Sequence, residues 1–271
     1  MSKELIFPAG PSALIVAHPG HELRVHGWLE QAKPVVFVLT DGSGGSSASR
    51  LASSRRLITG AGGAAGSIFG RLTDRQLYEA ALNRRFCVFT ELVDELAAAL
   101  LDLEIAVVVS DAEEGYNSGH DICRGIVDAA VTVAEHLAAR SIASFDFLLV
   151  GRPDADDGDP HATLRLDDAA LRRKLEAARQ YPEMASEVDA ALQRFGADAF
   201  RIECLRAVTP ARARRAGIAE GVPFYERFGE QQVAAGIYAD VIRAREHIHP
   251  LVNALRQHAL GRTTCSRSSS C

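Results

Sequence analysis

The sequence predicts an α/β protein: a Rossmann-like, mostly parallel sheet with helices on both faces. Short apolar runs bounded by turn residues recur at 14–17, 34–42, 105–110 and 145–151. Between them lie stretches with apolar residues every three or four positions, and strands alternating with helices build parallel sheets covered on both sides. The first three runs end in polar loops carrying His18 and His21, Asp41, and residues 111–121, and the carboxyl ends of strands in such a fold converge on one crevice.

Leu14-Ile15-Val16-Ala17 is continuously apolar, as a strand buried on both faces requires. It stops at Pro19-Gly20, a pair that ends strands and opens loops, and His18 and His21 flank that turn. Residues 22–32 read as a helix. The second strand, 34–42, closes on Asp41-Gly42, and 42–49 is a Gly/Ser-rich loop before a short helix over 50–58. The stretch 59–70 is the densest in glycine. Within it Gly60-Ala61-Gly62-Gly63-Ala64-Ala65 formally matches the dinucleotide fingerprint, but Leu57-Ile58-Thr59 is too short for the strand that should precede it. A flexible loop beside the site is the expectation there.

Residues 74–103 read as one long helix, with Leu77, Ala81, Phe86, Phe89, Val93, Leu96 and Leu100 on a core face. The loop 112–121 follows the third strand and leads to a helix over 122–140. The acidic run 154–161 lacks the spacing of a calcium loop and reads as solvated. A charged helix over 166–180 starts near Asp167-Asp168, which suit a positive helix end, and stops at Tyr181-Pro182. A late strand is expected over 199–208 and a long helix over 231–260, kinked at Pro250. Residues 1–261 form a single domain on this reading, and the Ser/Thr-rich residues 262–271 a disordered tail.

A chain of 271 residues, 47% hydrophobic and 24% charged, is long and apolar enough for a sizeable core. The net charge of −5 and the lack of a basic tract argue against a nucleic-acid partner. No apolar run approaches the ~20 residues of a membrane span, and residues 1–7 lack the pattern of a signal peptide; a cytoplasmic protein acting on a small molecule is expected, with homo-oligomerisation left open. The five cysteines are odd in number, scattered and without a C-x-x-C pair, unlike a disulfide framework or a thiolate metal site. Cys87 and Cys123 fall in helical patterns as small core residues.

His18 and His21 form a His-x-x-His pair at a strand end, and His120, after the third strand, is the natural third ligand. A catalytic Zn2+ takes three protein ligands and keeps one position open, whereas structural zinc favours four ligands including cysteine. Three neutral imidazoles leave the cation's charge undiminished, so a water beside it is acidified toward a pKa of ~7. His26, His136, His247 and His249 lie on or beside helices and read as surface or satisfied polar residues.

These segments together resemble the PIG-L/LmbE-like family of zinc-dependent deacetylases, which remove acyl groups from amino sugars and related amines. The family motif A-H-P-D-D-E corresponds to Ala17-His18-Pro19-Gly20-His21-Glu22, and V-L-T-D-G-x-G-G to Val38-Leu39-Thr40-Asp41-Gly42-Ser43-Gly44-Gly45. A later H-P-D-H motif corresponds to the segment ending at His120, and Ala199-Phe200-Arg201 resembles a late family segment. The resemblance covers the first ~150 residues in order and supports the fold with one transferred site. It implies a metal held by His18, His21 and His120. The family's general base, the first Asp of its opening motif, falls on Gly20, and its carboxylate ligand on His21. Its oxyanion-steadying histidine falls at Asn117 or Ser118, and a family tyrosine at Tyr116 when one gap is allowed.

The expected function is therefore zinc-dependent hydrolysis of a C–N acyl bond in a small polar substrate. Glu22, Asp41, Asp111, Glu113, Glu114 and Asp121 are the carboxylates available as a replacement base. Asp41 is expected to orient a ligand imidazole, and Tyr116 or Asn117 to donate to a developing oxyanion. The alternatives are a non-hydrolytic Lewis-acid reaction, such as a lyase, cyclisation or transfer step of specialised metabolism, and a non-catalytic protein that binds metal or ligand.

Overall fold

The computed structural model describes residues 10–44, 48–153, 161–209 and 221–265. In chain order, β1 (Ser12–Val16), α1 (His26–Ala32), β2 (Val35–Thr40), α2 (Leu51–Gly60) and β3 (Ala64–Leu72) form the first half. The chain then crosses through α3 (Asp74–Leu82) and α4 (Phe86–Asp102) to β4 (Val107–Asp111), α5 (Ser118–Ala138) and β5 (Ala143–Phe147). β6 (His161–Arg165), α6 (Asp168–Arg179), α7 (Ala185–Phe195) and β7 (Ile202–Ala207) follow, and α8 (Phe224–Ala234) and α9 (His249–Cys265) complete the described chain. The strands make one seven-stranded sheet in the order β3-β2-β1-β4-β5-β7-β6. β1 to β5 are parallel; β7 pairs antiparallel with both β5 and β6. Strand order reverses at β1, whose neighbours are β2 on one side and β4 on the other, and a crevice opens at such a switch point.

Alternation along the strands feeds two cores. Ala13, Ile15, Phe37, Leu39 and Val108 face α3, α4, α5 and α9, while Leu14, Val16, Val36, Val38 and Val109 face Trp28, Leu29 and Ile58 from the other side. Among the described residues no helix is long and apolar enough to cross a membrane. At the antiparallel edge the carboxylate of Glu203 on β7 caps the start of α1, accepting from Gly27 N and Trp28 N at 2.8 Å each and from Lys174 Nζ at 2.7 Å. Burial lowers the Lys174 ammonium from its usual range even with that partner, so this buried pair fixes geometry more than it adds stability.

Several elements differ from the sequence expectation. The glycine-dense stretch is β3, an edge strand, not a loop. Its Gly60–Ala65 portion follows a helix and enters a strand, the reverse of the strand-to-helix order that a dinucleotide turn requires. Glycine is needed there for close approach: a Cβ on Gly66 stands 2.4 Å from Cε1 of the fully buried Phe37. The long helix expected over 74–103 is two helices. Arg84 takes a left-handed φ of 52° between them, and Thr73 and Gln76 form a capping box that starts the first.

The 22–32 helix begins as a tight 3₁₀ turn, His21–Val25. Residues 231–260 are not one helix: α8 ends at Ala234, and α9 continues directly from a π-helical turn, Ala244–Ile248, so the helix is irregular just before Pro250, as the expected kink requires. α9 runs through Arg262 to Cys265, past the domain end expected at 261. Cys87 is exposed rather than in the core. The acidic run at 154–160 and the tail beyond 265 lie outside the described residues.

Gly66→Ala is expected to lower the unfolding free energy by about 1–3 kcal/mol through overpacking against Phe37. A urea titration reads this as a lower midpoint at unchanged slope; an unmoved midpoint contradicts the close packing of β3 on β2.

Candidate metal centre

β1 ends at the switch point and its chain turns through His18-Pro19-Gly20-His21. β4 ends beside it, and the loop beyond leads to Asn117, the N-cap of α5. His120 therefore lies in the first turn of α5, not in the preceding loop. Asn117 Oδ1 accepts from Gly119 N at 2.7 Å and from the Tyr78 hydroxyl at 3.1 Å. These elements bring the three histidines together: ring centroids are 5.4 Å apart for His18 and His21, 5.6 Å for His18 and His120, and 4.7 Å for His21 and His120.

Hydrogen bonds fix which ring nitrogens remain. His21 Nδ1 donates to Asp111, whose oxygens stand 2.9 and 3.0 Å away. Asp111 also accepts from Ala17 N at 2.8 Å, so one fully buried carboxylate holds the end of β1 and aims its histidine. Burial disfavours charge on both partners, yet their mutual attraction wins: the imidazole is raised and the carboxyl lowered from their usual values. His18 Nδ1 lies 3.0 Å from Asp74 Oδ1 and 2.8 Å from Thr40 Oγ1. Ionised Asp74 only accepts, so Nδ1 carries a proton and Nε2 is the ring nitrogen left for another partner. Burial, then the neighbouring His21 and His18, hold His120 well below its usual value against the pull of Asp111, so its ring is neutral.

His18 Nε2 and His120 Nδ1 are buried with no hydrogen-bond partner. An unmade bond on a buried polar atom costs about 1–3 kcal/mol, and two such atoms among three clustered imidazoles fit a cation as the missing partner. Glycine at 119 keeps this space open, because a Cβ there stands 2.7 Å from His18 Nε2. Rings sharing one tetrahedral ion through bonds of about 2.1 Å have centroids about 5 Å apart, as these do. Among the described residues no group of three or more His, Cys, Asp or Glu is placed so that it could hold a metal ion as it stands; what favours a cation is the donor set, the ring spacing and the unpartnered nitrogens.

The other expected residues fall around this cluster in distinct roles. Asp41 does not orient a ligand: its Oδ1 accepts from Ser43 N, Ser43 Oγ and Asp74 N. Asp74, with Thr40, does that work for His18, and sequence reasoning missed both. The capping box at Thr73 marked a helix start at Asp74, but nothing local signalled that its carboxylate reaches a histidine 56 positions away.

Asp111 is spent on His21 and Ala17, and Glu22 Oε2 on Gly20 N at 2.8 Å. Burial pushes the Glu22 carboxyl up. In the first turn of α5, Asp121 Oδ1 accepts from Glu114 N and Gly115 N of the loop before it, and burial with Glu113 nearby pushes it up to about 7. Glu114 accepts from Leu149 N and Val150 N. Tyr116 is half exposed and its ring stacks on Phe224.

Gly20, in the position of the base implied by the resemblance, has a φ of 109°. A Cβ there stands 3.0 Å from Met184 Sδ, and Arg50 Nη1 donates to that sulfur at 2.9 Å. The 3₁₀ turn Pro182–Met184 thus closes over the His18–His21 turn where a side chain would otherwise project.

No family profile matches the chain, and no curated protein sequence does. Solved structures do. The chain is similar to a triple mutant (Orf2*T) of a deacetylase of the teicoplanin biosynthetic pathway, at 13% identity, covering 74% of this chain and 98% of that one with a TM-score of 0.51. It is similar to the A40926 pseudoaglycone deacetylase Dbv21 at 15% identity, 73% and 97% coverage and a TM-score of 0.51. It is also similar to the conserved protein TT1542 of Thermus thermophilus, at 20% identity, 73% and 94% coverage and a TM-score of 0.51. At such identities the likeness establishes a shared mostly parallel α/β fold, and function must be argued from the site.

Asp111→Ala strands the His21 Nδ1–H and the Ala17 N–H together. It is expected to lower the unfolding free energy by about 2–4 kcal/mol, read by denaturant titration of the metal-free protein; a loss below about 0.5 kcal/mol contradicts the role assigned to this carboxylate.

Proposed function

We propose that this protein is a zinc-dependent hydrolase of a C–N acyl bond, with His18, His21 and His120 as the metal ligands. The observation that carries the reading is the convergence of three imidazoles, of which His18 and His21 have their Nδ1 tied to Asp74 and Asp111, while His18 Nε2 and His120 Nδ1 stay unpartnered. Carboxylate–histidine pairs of this kind set the tautomer and raise the basicity of a ligating ring. When bound, zinc supplies the Lewis acidity that polarises an amide carbonyl and acidifies water. The fold shared with deacetylases of two antibiotic pathways supports amide hydrolysis over other zinc chemistry.

The chain's own residues divide the remaining work. Asp74 and Thr40 hold the proton on His18 Nδ1, and Asp111 holds it on His21 Nδ1. Gly119 keeps the approach to His18 Nε2 open. The Asn117 carbonyl oxygen is committed to Gly119 N and Tyr78, so its amide hydrogens are the part left to donate toward a substrate oxygen. Asp121, pushed up to about 7, is the carboxyl in the first turn of α5 suited to exchanging a proton near neutral pH.

A second reading is favoured by one observation. Gly20 offers no base, and Met184 stands over it. On that reading the same ligands serve a Lewis-acid step without hydrolysis, a lyase, cyclisation or transfer reaction.

The protein is expected to bind about one zinc per chain, and His120→Ala to weaken binding by at least about 100-fold, more than the ~10–100-fold of an outer-partner change such as Asp111→Asn. Competition with a chromophoric chelator measures both. No stoichiometric zinc, or zinc retained in the His21→Ala, His120→Ala double variant, overturns the assignment. Amine release from N-acetyl or N-formyl substrates by the loaded protein supports hydrolysis; consistent failure with metal fully loaded supports the second reading.

A further inference from the structure

Beside the histidines the surface carries a row of exposed aromatic rings. Tyr116, four residues before His120, stacks on Phe224 at a centroid distance of 4.7 Å and an interplanar angle of 6°. Phe224 is followed by Phe228 at 5.9 Å and 19°, and Phe228 by Tyr238 edge-on at 6.5 Å. The four are 45%, 42%, 40% and 50% exposed. Single exposed aromatics are ordinary, but a contiguous row is a recognition surface. This one is fixed to the metal loop: Phe224 N donates to Gly115 O at 2.8 Å, and a Cβ on Gly115 would touch Pro223 at 3.5 Å.

We propose that Tyr116, Phe224, Phe228 and Tyr238 form an aryl-binding ledge, and that the substrate carries an aromatic ring adjoining the group it presents to His18, His21 and His120. The inference rests on the histidine cluster being the reacting site. Glu226 is spent on Arg243 Nη1 and Ala244 N, while Glu230, which shares that Arg243 nitrogen, and Asp240, bonded to Val241 N, stay exposed. What the four rings add is exposed aromatic surface, which favours offset or edge contact with another ring beyond simple area burial. Tyr116 immediately precedes Asn117, the N-cap of the helix that carries His120, and this connection ties the ledge to the histidine cluster.

The test is calorimetric titration of the full chain, metal-free and zinc-loaded, with acetanilide, N-cyclohexylacetamide and N-acetylglucosamine. Acetanilide is expected to bind about three- to tenfold more tightly than the other two in both states. Tyr116→Leu and Phe224→Leu, which keep apolar bulk and lose the ring, each remove about threefold or more of that preference. Phe195→Leu, at an exposed aromatic elsewhere, leaves it unchanged.

Equal affinities, an aryl preference untouched by both ledge variants, or an equal loss in Phe195→Leu overturns the proposal. So does a concentration-dependent dimer that Phe224→Leu dissolves, since the ledge then belongs to a second copy of the chain. Stoichiometric zinc without aryl preference refutes the ledge alone; aryl preference without zinc binding refutes the metal reading instead.

Discussion

The site depends on one buried carboxylate at the point where the strand order reverses. Asp111 closes β4, accepts the backbone N–H of Ala17 at the end of β1 and takes the Nδ1 proton of His21 in a hydrogen bond. A charge with essentially no solvent exposure is tolerable only when its oxygens are filled, and those partners fill them. The carboxylate therefore locks two neighbouring strand ends in register and decides which face His21 turns inward. Asp74 does the same for His18 from the start of α3. With both of these nitrogens committed, His18 Nε2 stays unpartnered beside Gly119, where a Cβ would stand 2.7 Å away.

Much of this was legible in the sequence because apolar periodicity and strand-end chemistry are local. The runs around Leu14, Val36, Val108 and Phe145 could hardly be other than buried strands, and parallel topology then forced His18, His21 and His120 to the same edge. What stayed illegible was either cooperative or distant. Gly66 reads as a loop residue until the Phe37 ring of the neighbouring strand explains why no side chain fits. Asp41, carried in a strand-end motif, looked like the partner of a histidine, but its oxygen is absorbed by the turn it begins. Asp74 took that role across the sheet, a pairing that no spacing encodes. The aromatic row assembles from residues 116 to 238 only once the start of α8 docks on the loop before α5.

Gly20 is where sequence and structure together sharpen the question of chemistry. A φ of 109° suits glycine and strains other residues, and Met184, tethered by Arg50, fills the position a side chain would enter. The absence of a carboxylate there is thus built into the packing of two elements. On the proposed reading the proton transfers fall to a group other than residue 20, and burial raises the Asp121 carboxyl, in the first turn of α5, to about 7.

The central claim is that three imidazoles share one cation. X-ray absorption at the zinc edge of the loaded, full-length protein tests it most directly. Three imidazole nitrogens at about 2.0–2.1 Å, with light-atom scattering completing the shell, are the expected result. A sulfur ligand from Met184, or a shell with fewer than two imidazoles, contradicts it.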